Sequence, residues 1–153
     1  MTFERTTDYA LIKRIVTDKS VYPFVSDDYS PAPKDYEPIK SDAVWHVLVR
    51  DGEEVLGLWI IIPQNAVCWE IHTCLLPNAY GERAKRAGKQ VVQWIWDNTT
   101  CLRLVTNVPE YNRLAHKFAK AAGMIEYGRN PKSYMKTQIL HDQILLGMSK
   151  PCQ

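Results

Sequence analysis

The stretch from Val67 to Asn98 constrains the fold most, because its hydrophobic period changes from that of a strand to that of a helix. Apolar and polar side chains alternate over residues 67–74, which is typical of a strand with two different faces. Pro77 ends that strand, since proline cannot donate to a continuing ladder. After Gly81, apolar residues recur at spacings of three and four, which predicts a helix of about four turns. That apolar stripe consists of Ala84, Ala87, Val91 and Ile95.

A strand, a glycine turn and a helix in succession present free backbone N–H groups to an anion at the start of the helix. Basic residues surround the same helix end: Arg83, Lys85, Arg86 and Lys89. A diphosphate is therefore the first ligand class that this stretch suggests. The alternative stays open, because many such units bind nothing and basic side chains on a surface helix are commonly just solvated.

The composition limits the classes of function. The 153 residues fit one domain with a single core, and a formal net charge of +2 is too small to indicate nucleic acid as the main partner. The four cysteines show no spacing suited to zinc, so no metal site is predicted. The longest apolar run, residues 55–62, is too short to span a bilayer, and no signal peptide is visible. We therefore expect reduced thiols in a cytosolic compartment and no membrane partner.

The remaining periodicity follows the order ααβββαβαββ, which predicts an α+β sheet with helices on both faces. The predicted helices cover residues 8–17, 21–25, 82–98 and 111–122, and the predicted strands cover 44–50, 55–62, 67–73, 101–108, 124–127 and 143–148. Residues 27–41, which contain three prolines, and the polar residues 128–136 are predicted loops. Asp51-Gly52 is a strong hairpin signal, and the fourth strand follows a helix. The first three strands should therefore form an antiparallel meander, and the fourth should lie parallel to its neighbour.

This order of elements resembles the fold of the GNAT N-acetyltransferase superfamily, and three segments are similar to its sequence signatures. They are residues 77–84, similar to the pyrophosphate loop; residues 112–124, similar to the later Asn-x-x-Ala…Gly-Phe segment; and residues 126–128 with 141–145, similar to the closing hairpin. The resemblance covers residues 43–148. It implies a mixed sheet in which the antiparallel meander is followed by a parallel βαβ unit and a C-terminal hairpin.

A narrower resemblance concerns the small GNAT-like proteins of tailed bacteriophages, some of which are labelled head-assembly or internal virion proteins. It depends on three runs: Glu70-Ile71-His72, Leu-Pro-x-x-Tyr-Gly at 76–81, and Pro-x-Tyr-Asn-Arg at 109–113. The chain departs from the family pattern at three positions, and at one of them the second small residue of the pyrophosphate loop is displaced to Ala84. Tyr80 stands where many relatives have arginine, and Ala119 stands where a tyrosine general acid is common.

The resemblance implies a single GNAT-like domain over residues 1–153, with 1–42 as a helical N-terminal part and acceptor-side loop and 43–148 as the sheet and cofactor core. It further implies acetyl-CoA as the cofactor, with the pantetheine along the third meander strand and the diphosphate on the amides of residues 80–84. The implied cofactor-binding residues are Thr73, Cys74, Leu75, Tyr80, Gly81, Glu82, Arg83, Ala84 and Asn112. For Asn112 the alternative is a helix-start residue that satisfies the local backbone.

Acetyl transfer needs a neutral amine and a polarised thioester carbonyl held in contact. Glu70 and His72 share one strand face and are the candidate bases. Glu70 is preferred, because in the resembled family a glutamate on this strand often acts as the base. The alternatives are that Glu70 is an exposed residue paired across the sheet and that His72 is a hydrogen-bonded, partly buried histidine. Tyr111, where a predicted loop meets the helix that begins at about that residue, and Tyr134, on a predicted loop, could supply the hydroxyl that Ala119 lacks.

Two functions stay open. The first is an acetyl-CoA-dependent N-acetyltransferase that transfers an acetyl group directly to an unidentified small-molecule or protein amine in the cytoplasm of a bacterial host. The second is a non-catalytic GNAT-like phage protein, in head assembly or within the virion, whose partners are phage structural proteins. A homodimer is left open in both. Acidic residues of the loop 27–41 would suit a cationic amine, although loop charges are usually just solvated: Asp27, Asp28, Asp35 and Glu37.

Overall fold

Seven strands form one mixed sheet in the computed structural model, which describes residues 1–152. The strands are β1 (Thr2–Arg5), β2 (Trp45–Asp51), β3 (Glu54–Pro63), β4 (Cys68–Leu75), β5 (Arg103–Pro109), β6 (Ile125–Lys136) and β7 (Ile139–Ser149). Their order across the sheet is β1-β2-β3-β4-β5-β7-β6. The β4–β5 pair is parallel, and the other neighbours are antiparallel.

Four helices pack on this sheet: α1 (Tyr9–Val16), α2 (Tyr22–Val25), α3 (Glu82–Asn98) and α4 (Arg113–Ala121). One face of the sheet, with Leu58 and Cys74, joins a cluster of buried side chains from α1 and α2. The opposite face, with Trp59 and Ile71, joins the larger cluster under α3 and α4. Successive residues of a strand point to opposite faces, so alternation within β3 and β4 supplies both cores. The predicted α+β class and the mixed sheet with helices on both faces are confirmed.

Two segments differ from the sequence prediction. Residues 2–5 form an edge strand that pairs with β2, although four residues of mixed polarity carry no clear period. Residues 128–136, predicted as a polar loop, belong to β6 and pair along β7. Most of β6 is exposed at the sheet edge, so its side chains need no apolar alternation, and its main-chain pairing with β7 decides its structure. Its pairing is interrupted by two register shifts.

Gly57 on β3 is required by a close approach of β4. Its φ is +136°, and a Cβ there would lie 2.3 Å from the Cys74 carbonyl oxygen and 2.7 Å from the Leu75 Cα. Since both contacts are main-chain atoms of the neighbouring strand, an added methyl group cannot be accommodated by turning a side chain. We expect Gly57→Ala to lower the free energy of unfolding by about 3 kcal/mol, measured by urea denaturation.

Gly52→Ala is the matched control for that prediction. Gly52 also has a positive φ, +61°, but an added Cβ there has nothing within 4 Å. This control isolates backbone strain, which costs on the order of 1 kcal/mol. A loss for Gly57→Ala no larger than the loss for Gly52→Ala would contradict the proposed clash.

Candidate functional site

The parallel strands β4 and β5 separate partway along their length. Their ladder joins Cys68 to Arg103 and ends at the pair of Glu70 and Val105, although β4 continues to Leu75. Beyond the last pair, main-chain groups of the two strands face a gap instead of one another. The gap opens into a cavity of about 550 Å³ that extends between α3 and α4 and reaches α2 on the other face of the sheet.

Alternation along β4 decides which amides face this gap. The Leu76 N–H donates to the Leu56 carbonyl at 2.9 Å, so the main-chain N–H and C=O groups of the even-numbered residues of β4 are directed to β3. The Cys74 N–H is therefore directed to β3. The Cys74 side chain is fully buried in the cluster under α1. The amides of Thr73 and Leu75 are directed to the gap, and both residues line the cavity. Of the three predicted strand positions, the structure brings two to the cavity and places Cys74 away from it.

The start of α3 supplies the second set of free amides. Gly81 is the N-cap of the helix, at φ +83°. The N–H groups of residues 81–84 have no hydrogen-bond acceptor within the described chain. Tyr80, Gly81 and Ala84 line the cavity, so this helix start is open to it. Uncompensated N–H groups at a helix start attract anions.

The side chains of Glu82 and Arg83 are directed elsewhere. Glu82 is 86% exposed and pairs with Lys85 at 2.5 Å. Arg83 pairs with Glu54 at 2.6 Å and with Asp51 at 3.2 Å. Neither side chain lines the cavity, so these two predicted positions can contribute only their backbone N–H groups.

Asn112 satisfies a backbone N–H at the start of its helix, which was the alternative to a cofactor-binding role. Its Oδ1 accepts a hydrogen bond from the Ala115 N–H at 3.1 Å, which caps the start of α4. Asn112 also lines the cavity, and its side-chain N–H2 is not used in this cap. The two roles are therefore compatible.

Glu70 and His72 form a hydrogen-bonded pair at the point where the strands part. The Glu70 Oε1 lies 3.1 Å from the His72 Nε2. Gln64 donates to the other carboxylate oxygen at 3.1 Å, and Asn107 donates to Oε1 at 3.4 Å. The hydrogen bond from His72 holds the pKa of Glu70 below its usual value, although burial opposes that effect. His72 lines the cavity, whereas Glu70 does not.

This difference follows from position along the ladder. Glu70 lies opposite Val105 in the last joined pair, and His72 lies two residues further along β4, where the gap has opened. A carboxylate with three hydrogen-bond donors is stabilised in its ionised form and is a weaker proton acceptor. The His72 Nδ1 has no partner within residues 1–152, so one ring nitrogen remains available.

A half-buried tyrosine lies at the same cavity. Tyr134 lines it from β6, a strand and not the predicted loop, and burial raises the pKa of its hydroxyl to about 12. Tyr111 lies 6.5 Å from Tyr134 between ring centroids, but it does not line the cavity. Ala119 is buried and lines the cavity without a polar atom. Tyr80 also lines the cavity and is 49% exposed, so Tyr134 is the less exposed of its two tyrosines.

Sequence reasoning missed several residues of the cavity wall: Phe24, Val25, Thr106, Asn107, Lys117 and Gln143. They come from α2, β5, α4 and β7, far in sequence from residues 67–98. No local period marks such positions, because only the strand order and the parting of β4 and β5 bring them together.

The described chain contains no group of three or more His, Cys, Asp or Glu side chains placed to hold a metal ion. The cysteines at 68, 74, 101 and 152 are free thiols. Among the helices of residues 1–152, none has the length and apolar character needed to cross a membrane.

No family model matches the sequence, and no curated protein matches it either. Solved structures do match. A spermidine N-acetyltransferase from Vibrio cholerae, in complex with CoA and spermine, superposes with a TM-score of 0.78 at 13% identity, covering 97% of this chain and 94% of that one. A ribosomal-protein-alanine N-acetyltransferase from Brucella melitensis superposes with a TM-score of 0.59 at 13% identity, covering 71% of this chain and 70% of that one. A GNAT-family acetyltransferase from Bacillus anthracis superposes with a TM-score of 0.60 at 13% identity, covering 70% of this chain and 66% of that one. At such identities the likeness establishes the GNAT fold.

Proposed function

We propose that this chain, which has the GNAT fold, is an acetyl-CoA-dependent N-acetyltransferase that transfers an acetyl group directly to a primary amine. One observation carries the proposal: a single cavity combines the gap amides of Thr73 and Leu75 with the free N–H groups of residues 81–84. The first set can polarise a carbonyl, and the second can bind a diphosphate. The Vibrio cholerae neighbour in complex with CoA supports the same ligand for this fold.

The residues present fit acetyl-CoA. The amides of residues 81–84 would hold the diphosphate, and those of Thr73 and Leu75 would face the pantetheine and the thioester. Lys85 and Lys117 line the cavity and carry the positive charge that phosphates require. The side-chain N–H2 of Asn112 is a further donor there. When bound, acetyl-CoA supplies the acetyl group: the amine nitrogen forms the amide bond, the carbon–sulfur bond breaks, and coenzyme A leaves as the thiol.

His72 is the proposed proton acceptor, with its free Nδ1 directed to the amine. Glu70 is the proposed positioning residue, because its ionised carboxylate holds the His72 Nε2 and stabilises the imidazolium that forms. The sequence had favoured Glu70 as the base, and this assignment gives that role to His72 instead. The reason is that Glu70 has three hydrogen-bond donors and lies outside the cavity.

Tyr134 is the proposed proton donor. It lines the cavity and keeps its proton throughout the neutral range, although its raised pKa of about 12 makes it a weaker acid than a free tyrosine. It therefore offers the proton that a side chain at Ala119 cannot offer.

Calorimetric titration with acetyl-CoA and coenzyme A tests the proposed function first. We expect saturable binding of both ligands, followed by thiol release when a suitable amine is added. No binding at millimolar ligand would overturn the cofactor site and the transferase with it. Binding of the cofactor without acetylation of any amine would overturn the transferase alone.

A second candidate is a non-catalytic GNAT-like phage protein that acts in head assembly or within the virion and binds phage structural proteins. The observation that favours it is Ala119, which places a methyl group where the resembled family often has its tyrosine acid. In this case we expect no acetylation of any amine and association of the protein with phage particles. In the first case the protein would act in the cytoplasm of the host.

A further inference from the structure

Part of the cavity wall, on the face of the sheet that carries α2, is apolar. Val21, Phe24 and Val25 line that end of the cavity together with Tyr134. Phe24 is 56% exposed and Val25 is 36% exposed, so two apolar side chains of this wall lack protein cover. Uncovered apolar groups inside a concave site are the usual contacts of a small organic ligand.

No carboxylate lines the cavity anywhere in residues 1–152. Apart from His72, its ionisable cations are Lys85 and Lys117, and both belong to the helices α3 and α4. We have assigned those lysines to phosphates, on the face of the sheet opposite α2. An acceptor with a second ammonium group would therefore contact no carboxylate among the lining residues, although the charges of Asp27 and Asp28 act on Tyr134 from outside the lining.

Three of the four acidic residues that the sequence offered for a cationic amine, namely Asp27, Asp28 and Glu37, have other partners. Glu37 pairs with the Lys13 Nζ at 2.7 Å. Asp27 accepts from the Tyr29 N–H at 2.9 Å and from the Ser30 hydroxyl at 3.0 Å, which is a local turn. None of the four acidic residues of the loop lines the cavity: Asp27, Asp28, Asp35 and Glu37.

Asp28 instead fastens the apolar wall to the β6–β7 turn. Its carboxylate accepts from the Thr137 N–H at 2.8 Å and from the Gln138 N–H at 2.7 Å. Those turn residues have φ values of +51° and +62°, which side-chain-bearing residues adopt only when their surroundings demand it. The Lys136 Nζ also donates to two carbonyl oxygens at and just after α2, at 2.9 and 2.6 Å. The wall that carries Phe24 is thus held in place before any acceptor arrives.

We propose that the acceptor is a primary amine carried on an aromatic or aliphatic hydrocarbon body, which packs against Phe24, Val25 and Tyr134 while its amine reaches His72. The inference rests on the proposed transferase function and names its substrate class. The same chemistry is offered by a free arylalkylamine and by the α-amine of a peptide whose first residue is apolar. A polyamine offers a second charge instead and lacks the apolar body.

Acetylation assays by thiol release, at saturating acetyl-CoA, test the substrate class. The probes are 2-phenylethylamine, a short peptide with N-terminal phenylalanine, and spermidine. We expect kcat/KM for one of the two apolar probes to exceed that for spermidine by about tenfold or more, since burial of the ring is gained only with them. Which of the two is preferred separates a free amine from a peptide end.

The matched variants are Phe24→Asp and Tyr29→Asp. Phe24→Asp puts a carboxylate into the wall, so kcat/KM for the apolar probe should fall at least about tenfold and that for spermidine should rise. Tyr29 is 82% exposed in the following loop and does not line the cavity, so Tyr29→Asp should change neither value. Thermal unfolding of both variants, each altered at an exposed position, verifies that they fold.

The outcomes separate the two proposals. A higher kcat/KM for spermidine than for both apolar probes would overturn the acceptor class but not the transferase function. The same change in kcat/KM in Phe24→Asp and Tyr29→Asp would do so too. Calorimetric binding of 2-phenylethylamine to the CoA-loaded protein, lost in Phe24→Asp, without acetylation of any amine, would support the apolar pocket and overturn the transferase. Neither binding nor acetylation of any probe would overturn both.

Discussion

Gly81→Glu is expected to abolish coenzyme A binding. Gly81 begins α3 at φ +83°, and the N–H groups of residues 81–84 are free at this helix start. A carboxylate here would repel the diphosphate, occupy the space in front of the amides and favour a different backbone conformation. We expect the dissociation constant, measured by calorimetry, to rise by about 100-fold or more, since each tenfold loss needs only about 1.4 kcal/mol.

Gly81→Ala separates charge and bulk from backbone strain. An added Cβ at Gly81 has nothing within 4 Å, so alanine introduces strain at the positive φ and no clash. We expect alanine to weaken coenzyme A binding about tenfold at most, and both variants to lose on the order of 1–2 kcal/mol in the free energy of unfolding. Unchanged affinity in Gly81→Glu would remove the α3 start from the cofactor site.

His72→Gln should lower turnover by about 10² to 10⁴-fold, the range that a positioned proton acceptor contributes. Glutamine keeps a polar side chain of comparable length but cannot take the amine proton. Coenzyme A affinity should stay within about twofold, because the proposed phosphate contacts lie at the start of α3. Steady-state kinetics and calorimetry on the same preparation give both values.

Glu70→Gln completes that prediction, since the two residues have different proposed roles. Removing the ionised partner of the His72 Nε2 should lower kcat less than His72→Gln does, and the double variant should be no slower than His72→Gln alone. Coenzyme A affinity should again be unchanged. A larger loss from Glu70→Gln than from His72→Gln would restore Glu70 as the base. Full activity in Glu70→Gln would return it to a structural role.

Local patterns were sufficient for the parts of the fold that alternate or repeat within a few residues. The stripe of Ala84, Ala87, Val91 and Ile95 is buried as the helical period predicts, and the meander follows the Asp51-Gly52 turn. The same reasoning predicted the start of β6 but failed for residues 128–136, because an exposed edge strand has no apolar face and its sequence resembles that of a polar loop. It also placed Tyr134 on a loop, although this residue belongs to β6 and lines the cavity.

The sequence by itself determined the succession of strand, glycine turn and helix between Val67 and Asn98, since period and backbone freedom are local properties. It also determined that Glu70 and His72 share a strand face. Which of them reaches the cavity was decided only by the tertiary structure, because the β4–β5 ladder ends at Glu70 and the gap opens beside His72. The apolar wall around Phe24 was decided in the same way. It exists because α2, β6 and the β6–β7 turn meet, and hydrogen bonds of Asp28 and Lys136 between distant parts of the chain hold them together.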